Sequence, residues 1–485
     1  MDNSAPKPVS FLPENASTDF TSKQIILEFD EYFGIKSPTQ TILISPPMNP
    51  SPTYTVKGKK LIVDINAELK PNTTYSIYFA NTIRDNHEGR DTSFLYVFST
   101  GSYIDSSSIS AKVVDAFTGN PVADVWLMAY ESEDSLIEHK RPDFIAKTAK
   151  DGRATISHIP KGDYKMFALL DENFDLKYSF PDERIAFLNS TVSTDLDSST
   201  VVLRMFMGVD SITKLVGSKY IHPGLVEMYF NRNLDPVDLK LPQELKYISV
   251  PNDTIKIYLS DEFSKGSAFF NYNLNSSVDT LRYYIPQDRA LSFVKASPQI
   301  SGNVHYNKPL KLLMPRPITI IDSDKIHLFN DSVEVPLNFE VDSNATGMVK
   351  IFADFDPGTK YKLKIDRNAI SCLHGIASDS STVDFNTYKS DYLGKITFRV
   401  QKDGSGLIQL LNQGKLIASF SEKSIVFKDL PPGKYSIRYI ADKDKNGEWS
   451  TGNYFQNTQP EDVYYFPEIM ELKSGWDVEQ TWIID

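Results

Sequence analysis

A proline-led pattern that occurs twice constrains the fold of this chain more than any other sequence feature. It reads LKPNTTYSIYF at residues 69–79, and the related string DPGTKYKLKI follows at 356–365, with its proline 286 positions after the first. Each copy is a turn followed by a run in which alternate residues are apolar, which is the pattern of a β-strand with one buried face. In the first copy, Tyr75, Ile77 and Phe79 fall on that face.

A second repeat follows the first in both halves of the chain. Residues 159–165 read IPKGDYK, and residues 430–436 read LPPGKYS, 271 positions later. The same distance separates Asp171 from Asp442, each of which opens a polar loop after the strand. Because both repeats occur in the same order, the sequence predicts that a two-domain unit has been duplicated.

The remaining apolar residues come in short alternating runs bounded by Pro, Gly, Asn or Ser, and aromatic residues make up 12% of the chain. No helical period persists for three turns, although residues 144–150 could form a short helix or a loop. A chain of 485 residues is too long for one core. We therefore predict an all-β protein, a tandem array of about five small β-sandwich domains.

Several motifs resemble known bacterial domains. FLPENAST at 11–18, LKPNTTY at 69–75 and FSTG at 98–101 resemble the SbsA-type immunoglobulin-like (Ig-like) domain. ISAKVVD at 109–115, followed by TGNPV at 118–122, looks like the carboxypeptidase regulatory, prealbumin-like module. Together they resemble the large surface lipoproteins of Bacteroidota.

The repeats and this resemblance divide the chain into a tether and five β-domains. The Ig-like domain is followed directly by the prealbumin-like domain in both pairs, and a less regular β-domain lies between the pairs. The expected segments are 1–8 for the tether, 9–103 and 301–390 for the Ig-like domains, 104–206 and 391–485 for the prealbumin-like domains, and 207–300 for the domain between them.

The resemblance implies a non-catalytic extracytoplasmic scaffold or interaction protein, which is a surface lipoprotein and an accessory subunit of an outer-membrane protein complex. Its expected partner is a protein of that complex, and its expected location is the cell surface or the periplasm. Members of the family begin with a lipoprotein signal and an acylated cysteine, neither of which occurs in the given chain. Membrane attachment would therefore use a lipid anchor outside this sequence, with residues up to Pro8 as the stalk.

The charge balance and the cysteine content limit the possible partners and the possible covalent cross-links of the chain. Lys and Arg number 51 and Asp and Glu number 63, which gives a net charge of −12 and disfavours nucleic acid as a partner. Cys372 is the single cysteine, so no intrachain disulfide can form. No run approaches the roughly 18 apolar residues that a membrane-spanning helix needs.

No catalytic motif is recognisable. The seven histidines are scattered and none has metal-ligand spacing; they are His87, His139, His158, His222, His305, His327 and His374. Cys372 and His374 would share a strand face, but no third group is present to orient the histidine. We expect no catalytic residue and no enzyme, and the alternative, a cryptic hydrolase, would require titratable groups that converge in a pocket.

One local motif points to a metal. Asp442, Asp444, Asn446 and Glu448 place oxygen ligands at alternate positions, and Gly447 allows the tight curl that would aim them at one cation. These four residues form a candidate calcium loop, and calcium is the only cofactor expected. The competing interpretation is an acidic Asx-turn hairpin without metal.

Two observations limit this motif. Asn453 stands where an EF-hand places its bidentate Glu, and no helix pattern flanks the loop, so an EF-hand is excluded. The earlier loop at 171–175, DENFD, lacks the glycine and is expected to match less well.

Clusters of aromatic residues near the C-terminus suggest a further alternative, a glycan-binding accessory or adhesion protein. Trp449, Tyr454 and Tyr465 are the candidate residues for contact with a glycan or a partner. Sandwich cores and domain interfaces also use aromatic residues, which gives the competing structural interpretation.

Overall fold

The computed structural model describes residues 5–86, 89–131, 137–180, 183–195, 200–208, 213–221, 224–231, 239–241, 246–250, 253–259, 266–275, 277–285, 293–300, 302–341 and 347–484. The described residues form β-strands in many small sheets, with one short α-helix, and the all-β prediction is confirmed. By their internal contacts the residues divide into a first unit, Met1–Val209 with Ile440–Val463, and a second unit, Asp210–Tyr439 with Tyr464–Asp485.

The first domain of the first unit is a sandwich of two sheets. One sheet has the order β1-β2-β6-β5, and the other has the order β3-β7-β4 with β8 paired to β7. The elements are β1 (Pro8–Leu12), β2 (Gln24–Phe29), β3 (Phe33–Ile35), α1 (Pro38–Thr41), β4 (Ile42–Ser45), β5 (Thr53–Lys57), β6 (Lys60–Asp64), β7 (Thr74–Asp85) and β8 (Asp91–Ser99).

Strict alternation builds the core of this sandwich. Tyr75, Ile77 and Phe79 on β7 are all buried, as the sequence predicts, and the intervening residues point away from the core. Burial of each such side chain contributes about 1.5–3 kcal/mol relative to exposure. The ring of Phe79 stacks on that of Phe94 with 4.5 Å between the centroids.

The proline-led repeat has the same hydrogen bond in both copies. The Tyr75 hydroxyl accepts the backbone N–H of Lys70 at 2.9 Å, and the Tyr361 hydroxyl accepts that of Asp356 at 2.7 Å. Each tyrosine therefore fastens the turn before its strand, a contact worth about 1 kcal/mol. This shared contact confirms that the pattern repeats as structure and not only as sequence.

The second repeat also recurs in the structure. The Tyr164 hydroxyl donates to the carbonyl oxygen of Pro160 at 2.8 Å, and the Tyr435 hydroxyl donates to that of Pro431 at 2.7 Å. In each copy the tyrosine closes the turn that precedes its own strand.

The second domain forms one continuous set of strands in the order β11-β10-β13-β14-β16-β9-β12, with β15 paired to β13. The pairing of β16 with β9 is parallel. The strands are β9 (Ser107–Asp115), β10 (Trp126–Tyr130), β11 (Phe144–Lys147), β12 (Arg153–Ile159), β13 (Asp163–Leu170), β14 (Arg184–Phe187), β15 (Val192–Ser193) and β16 (Val201–Met207).

Strand β11 falls where the sequence suggests a short helix or a loop. Residues 144–147 pair with β10 in an antiparallel ladder, and Phe144 is buried. A strand of four residues is too short to show a clear period, so its type is decided by the neighbouring strand.

Strand β10 is buried on both faces. Leu127 and Ala129 face the inner core of the domain, whereas Trp126, Met128 and Tyr130 face an outer aromatic cluster. That cluster is covered in part by side chains from outside the second domain. These are Leu43 and Tyr78 from the first domain and Trp449 and Tyr454 from the 440–463 segment. The outer face of this sheet therefore joins three parts of the first unit.

The second unit begins with a domain of two sheets, in the orders β17-β18-β21-β20 and β19-β22-β23. Val226, Ile255 and Ile257 are among the buried residues of its core. The strands are β17 (Leu215–Ile221), β18 (Leu225–Phe230), β19 (Leu239–Lys240), β20 (Lys246–Val250), β21 (Thr254–Tyr258), β22 (Gly266–Leu274) and β23 (Ser277–Ile285).

The next domain has three four-stranded sheets around one core, in the orders β24-β34-β33-β27, β25-β26-β31-β30 and β29-β28-β32-β35. Its first two strands precede residue 301, where the sequence places the boundary. The strands are β24 (Phe293–Lys295), β25 (Ser297–Pro298), β26 (Leu310–Leu313), β27 (Ile318–Ile321), β28 (Ile326–Asn330), β29 (Val333–Val335), β30 (Asn338–Val341), β31 (Met348–Phe352), β32 (Lys360–Ile365), β33 (Ile370–Cys372), β34 (Ala377–Asp379) and β35 (Ser381–Asn386).

The last sandwich has sheets in the orders β39-β36-β43 and β38-β37-β40-β41, with β42 paired to β40. Between β40 and β41 the chain runs through the 440–463 segment of the first unit. The strands are β36 (Gly394–Gln401), β37 (Leu407–Asn412), β38 (Lys415–Phe420), β39 (Ser424–Leu430), β40 (Gly433–Ile440), β41 (Val463–Tyr465), β42 (Met470–Leu472) and β43 (Asp477–Ile483). Among the described residues, no helix combines the length and the apolarity that a membrane crossing requires.

Candidate functional site

The residues 442–461, called here the C-terminal acidic loop, hold three carboxylates close together. One oxygen each of Asp442, Asp444 and Glu461 lies within 4.8 Å of the other two. Asp442 and Glu461 are each only 5% exposed, and Asp444 is exposed. A cluster of this kind supplies the hard oxygen ligands that calcium prefers.

The loop curls because Asp442 holds its backbone. The Asp442 carboxylate accepts the N–H groups of Asn446 at 3.1 Å and of Gly447 at 3.2 Å. Lys445 and Gly447 both have positive φ, 62° and 81°. The tight turn that the sequence predicts from Gly447 is therefore present.

Glu461 belongs to the carboxylate cluster, although the sequence interpretation did not include it. Its Oε1 accepts the N–H of Lys443 at 2.5 Å, and its Oε2 accepts that of Ser450 at 3.1 Å, which ties the two ends of the loop together. It lies far from the motif in sequence, and the only signal for it is that an acidic residue stands in the same place before β14, at Glu183.

The other two predicted ligands have different surroundings. Glu448 is exposed and lies outside the cluster, and its backbone N–H donates to Oδ1 of Asn446 at 2.7 Å. The amide group of Asn446 donates to Asp444 at 3.1 Å and to Ser450 at 2.8 Å. The structure therefore brings Asp442 and Asp444 together with Glu461.

Two carboxyl groups, Asp444 in the C-terminal acidic loop and Asp462 directly after it, have lowered pKa values. A hydrogen bond from the Ser450 hydroxyl, 2.6 Å long, is the main reason why the pKa of Asp444 is lowered. Burial alone would raise the pKa of Asp462, but a hydrogen bond from Lys443 and the charge of Arg204 lower it overall. Arg204 on β16 forms an ion pair with Asp462.

Residues 171–180 together with Glu183, called here the first acidic loop, begin with the same turn 271 positions earlier. Asp171 Oδ2 accepts the N–H of Leu176 at 2.9 Å, as Asp442 accepts that of Gly447. Phe174 and Leu176 have positive φ, 62° and 59°. The loop therefore forms the same turn without the glycine, at a conformational cost of order 1–2 kcal/mol at Leu176.

Two carboxylates of the first acidic loop are deeply buried. Asp171 is 7% exposed and Glu183 is 4% exposed. Glu183 Oε2 accepts the N–H groups of Ser179 at 2.8 Å and of Phe180 at 3.0 Å. Burial is the main reason why the pKa values of both carboxyls are raised, and the nearby charge of Asp171 raises that of Glu183 further.

The three candidate aromatic residues are placed differently. The indole N–H of Trp449 donates to the carbonyl oxygen of Glu461 at 3.1 Å, and its ring packs edge-on against Phe117. Tyr454 lies among the rings of the outer aromatic cluster, and burial raises its pKa to about 12. Tyr465 is 42% exposed.

The Cys372 thiol and the His374 imidazole do not form a reactive pair. Burial raises the pKa of Cys372 to about 12, and only the charge of Arg316 opposes this. His374 Nε2 is 2.5 Å from the carbonyl oxygen of Leu259, which occupies it. Of the other histidines, His87 and His222 lie outside the described residues.

A comparison with known protein families finds a match for one segment of the chain. Residues 2–100 match a family model described as a bacterial Ig-like domain. The two-sheet sandwich of β1–β8 is the structure expected from this match, and it agrees with the resemblance seen in the sequence motifs.

The wider comparisons are less specific. No match was found among curated proteins. Among solved structures, the S-layer protein rSbsC is 10% identical, with 97% of this chain and 68% of that chain covered and a TM-score of 0.16. The major pilin subunit BcpA of Bacillus cereus is 11% identical (78% and 99% covered, TM-score 0.14), and the four N-terminal Ig domains of Dscam1 are 12% identical (78% and 100% covered, TM-score 0.14). TM-scores this low carry no argument about shared architecture, so the fold of the chain rests on its own sheets.

Proposed function

We propose that the chain is a non-catalytic extracytoplasmic scaffold that binds a protein partner through an exposed strand at the edge of its last sandwich. We further propose that the protein is held by a lipid anchor beside an outer-membrane complex. Only the sequence resemblance supports this part of the proposal. The observation that carries the protein-binding role is the apolar surface of β38.

Strand β38 is the outermost strand of its sheet and is unusually apolar for that position. Leu416, Ile417 and Phe420 are between 37% and 47% exposed, and Lys415 is the single charged residue of the strand. Edge strands are normally protected by charges, prolines or bulges because their free backbone groups can pair with another chain. On β38 this protection consists of Lys415 and a bulge at Ile417. The rest of the strand is apolar and suited to binding an extended segment.

A groove lies beside this strand. It has a volume of about 550 Å³ and is lined by Ile417 and Phe420 together with Val426 of β39. The charged residues that line it are Lys308, Lys428 and Asp429. An extended partner segment that alternates apolar residues with acidic ones would satisfy both the apolar floor and the two lysines.

The test compares two exposed apolar residues on edge strands. The full chain, the variant Ile417→Glu and the matched control Val333→Glu would each be used to capture partners from native cell envelopes, followed by mass spectrometry. Val333 on β29 is 69% exposed and also lies at the edge of a sheet. A bound partner segment would bury the new carboxylate at residue 417, which would prevent strand addition at β38. We therefore expect Ile417→Glu to lose an envelope protein that Val333→Glu retains.

Capture of the same envelope proteins by all three chains would refute β38 as the binding edge. Copurification with cytosolic proteins alone would refute the extracytoplasmic role. A signal for the purified chain on a glycan array would favour the alternative in which the protein binds glycans.

A further inference from the structure

The buried carboxylates of the first acidic loop present two oxygens that are directed at no protein donor. Within the described part of the chain, Oδ1 of Asp171 and Oε1 of Glu183 are buried and have no hydrogen-bond partner. The second oxygen of each carboxylate is used by backbone N–H groups, which fixes both side chains in place.

An ionised carboxylate oxygen that is shielded from water and lacks a partner is strongly unfavourable. The antiparallel ladder of β13 and β14 reaches the pair Leu170 and Arg184, so Asp171 and Glu183 are the next residues on the two neighbouring strands and lie beside each other. Such an arrangement is stabilised when a cation lies between the carboxylates, because the cation supplies the missing interaction for both oxygens.

We propose that the first acidic loop is a calcium site in which Asp171 Oδ1 and Glu183 Oε1 are ligands. This site is separate from the binding edge at β38 and from the sequence motif at Asp442. Calcium fits better than magnesium because the ligands are carboxylates on an irregular loop, and calcium accepts six to eight oxygens in flexible geometry.

The C-terminal acidic loop supports the assignment independently. Asp442 and Glu461 occupy the positions that correspond to Asp171 and Glu183, and their oxygens converge with one of Asp444. The same turn has therefore been kept in both copies of the duplicated domain, although Gly447 of one copy corresponds to Leu176 of the other. A loop built only to connect strands would not need buried carboxylates at both ends.

The test is calcium titration of the full chain by isothermal calorimetry after treatment with a chelator. The variants are Glu183→Gln and Asp171→Asn, and the matched control is Glu172→Gln, an exposed carboxylate in the same loop. Gln and Asn keep an oxygen that can accept the backbone N–H groups but remove the charge that a cation requires. We expect a calcium-binding event that Glu183→Gln and Asp171→Asn lose and that Glu172→Gln retains.

Thermal melting separates ligation from a purely structural role. If the carboxylates bind calcium, the wild-type melting temperature rises on adding calcium, and this rise is reduced in Glu183→Gln. If Glu183→Gln lowers the melting temperature by the same amount in calcium and in chelator, Glu183 stabilises the fold without binding calcium. Absence of calcium binding by the wild-type chain, or an unchanged isotherm for Glu183→Gln, would overturn the proposal.

Discussion

The substitution Gly452→Ala tests how closely the 440–463 segment packs in the first unit. A Cβ atom at residue 452 would lie 2.6–2.8 Å from three ring carbons of Phe206. Phe206 is 2% exposed and its ring contacts that of Phe187, so it has little room to move. Overpacking of this kind costs about 1–3 kcal/mol.

Native-state hydrogen exchange measures this cost locally, since a global free energy of unfolding is poorly defined for a chain of several domains. The reporting amides are those of Asn453 and Thr458, which bond each other's carbonyl oxygens at 2.8 and 2.9 Å. We expect Gly452→Ala to raise their exchange rates about 5- to 150-fold, the equivalent of 1–3 kcal/mol.

Gly162→Ala is the matched control because the nearest atom to its added Cβ is an ordinary 3.9 Å away on Tyr164. We expect it to leave the exchange of Asn453 and Thr458 unchanged and to be neutral or slightly stabilising overall. Equal exchange in wild type and Gly452→Ala would show that the segment does not pack against Phe206 as described.

Two further predictions concern single side chains. Tyr75→Phe and Tyr361→Phe each remove the acceptor for one backbone N–H, so the amides of Lys70 and Asp356 should exchange about fivefold faster, the equivalent of about 1 kcal/mol; an effect in one copy and not in the other would argue against equivalent turns. Because burial raises the pKa of Cys372 to about 12, its thiol should resist iodoacetamide in the native chain at neutral pH and react after denaturation; rapid alkylation of the native chain, followed by mass spectrometry, would refute a protonated, buried thiol.

Local sequence patterns predicted those features that depend on neighbouring residues. The alternation of Tyr75, Ile77 and Phe79 was sufficient to place them in a core, because a strand reverses its side chains at every residue. Asp442 and Asp444 were identified as a pair because they lie two residues apart on a turn that Gly447 makes easy.

Features that depend on distant parts of the chain could not be predicted in this way. Glu461 joins the carboxylate cluster only because the chain folds back to Asp442. A local pattern of residues in the sequence does not reveal such a contact. The second buried face of β10 is covered by Trp449 and Tyr454 from a remote segment. Leu176 adopts a positive φ that its side chain disfavours, so residue propensity did not predict the turn in the first acidic loop.

The division of the first unit between two stretches of chain sets an order on its folding during synthesis. Residues up to 209 leave the ribosome long before residues 440–463, which complete the same unit. At translation rates of about 5–20 residues per second, roughly 250 residues correspond to a delay of about 10–50 s. Throughout that interval the side chains around Phe206 lack the cover that residues 440–463 provide, so the first unit can be completed only after those residues have been synthesised.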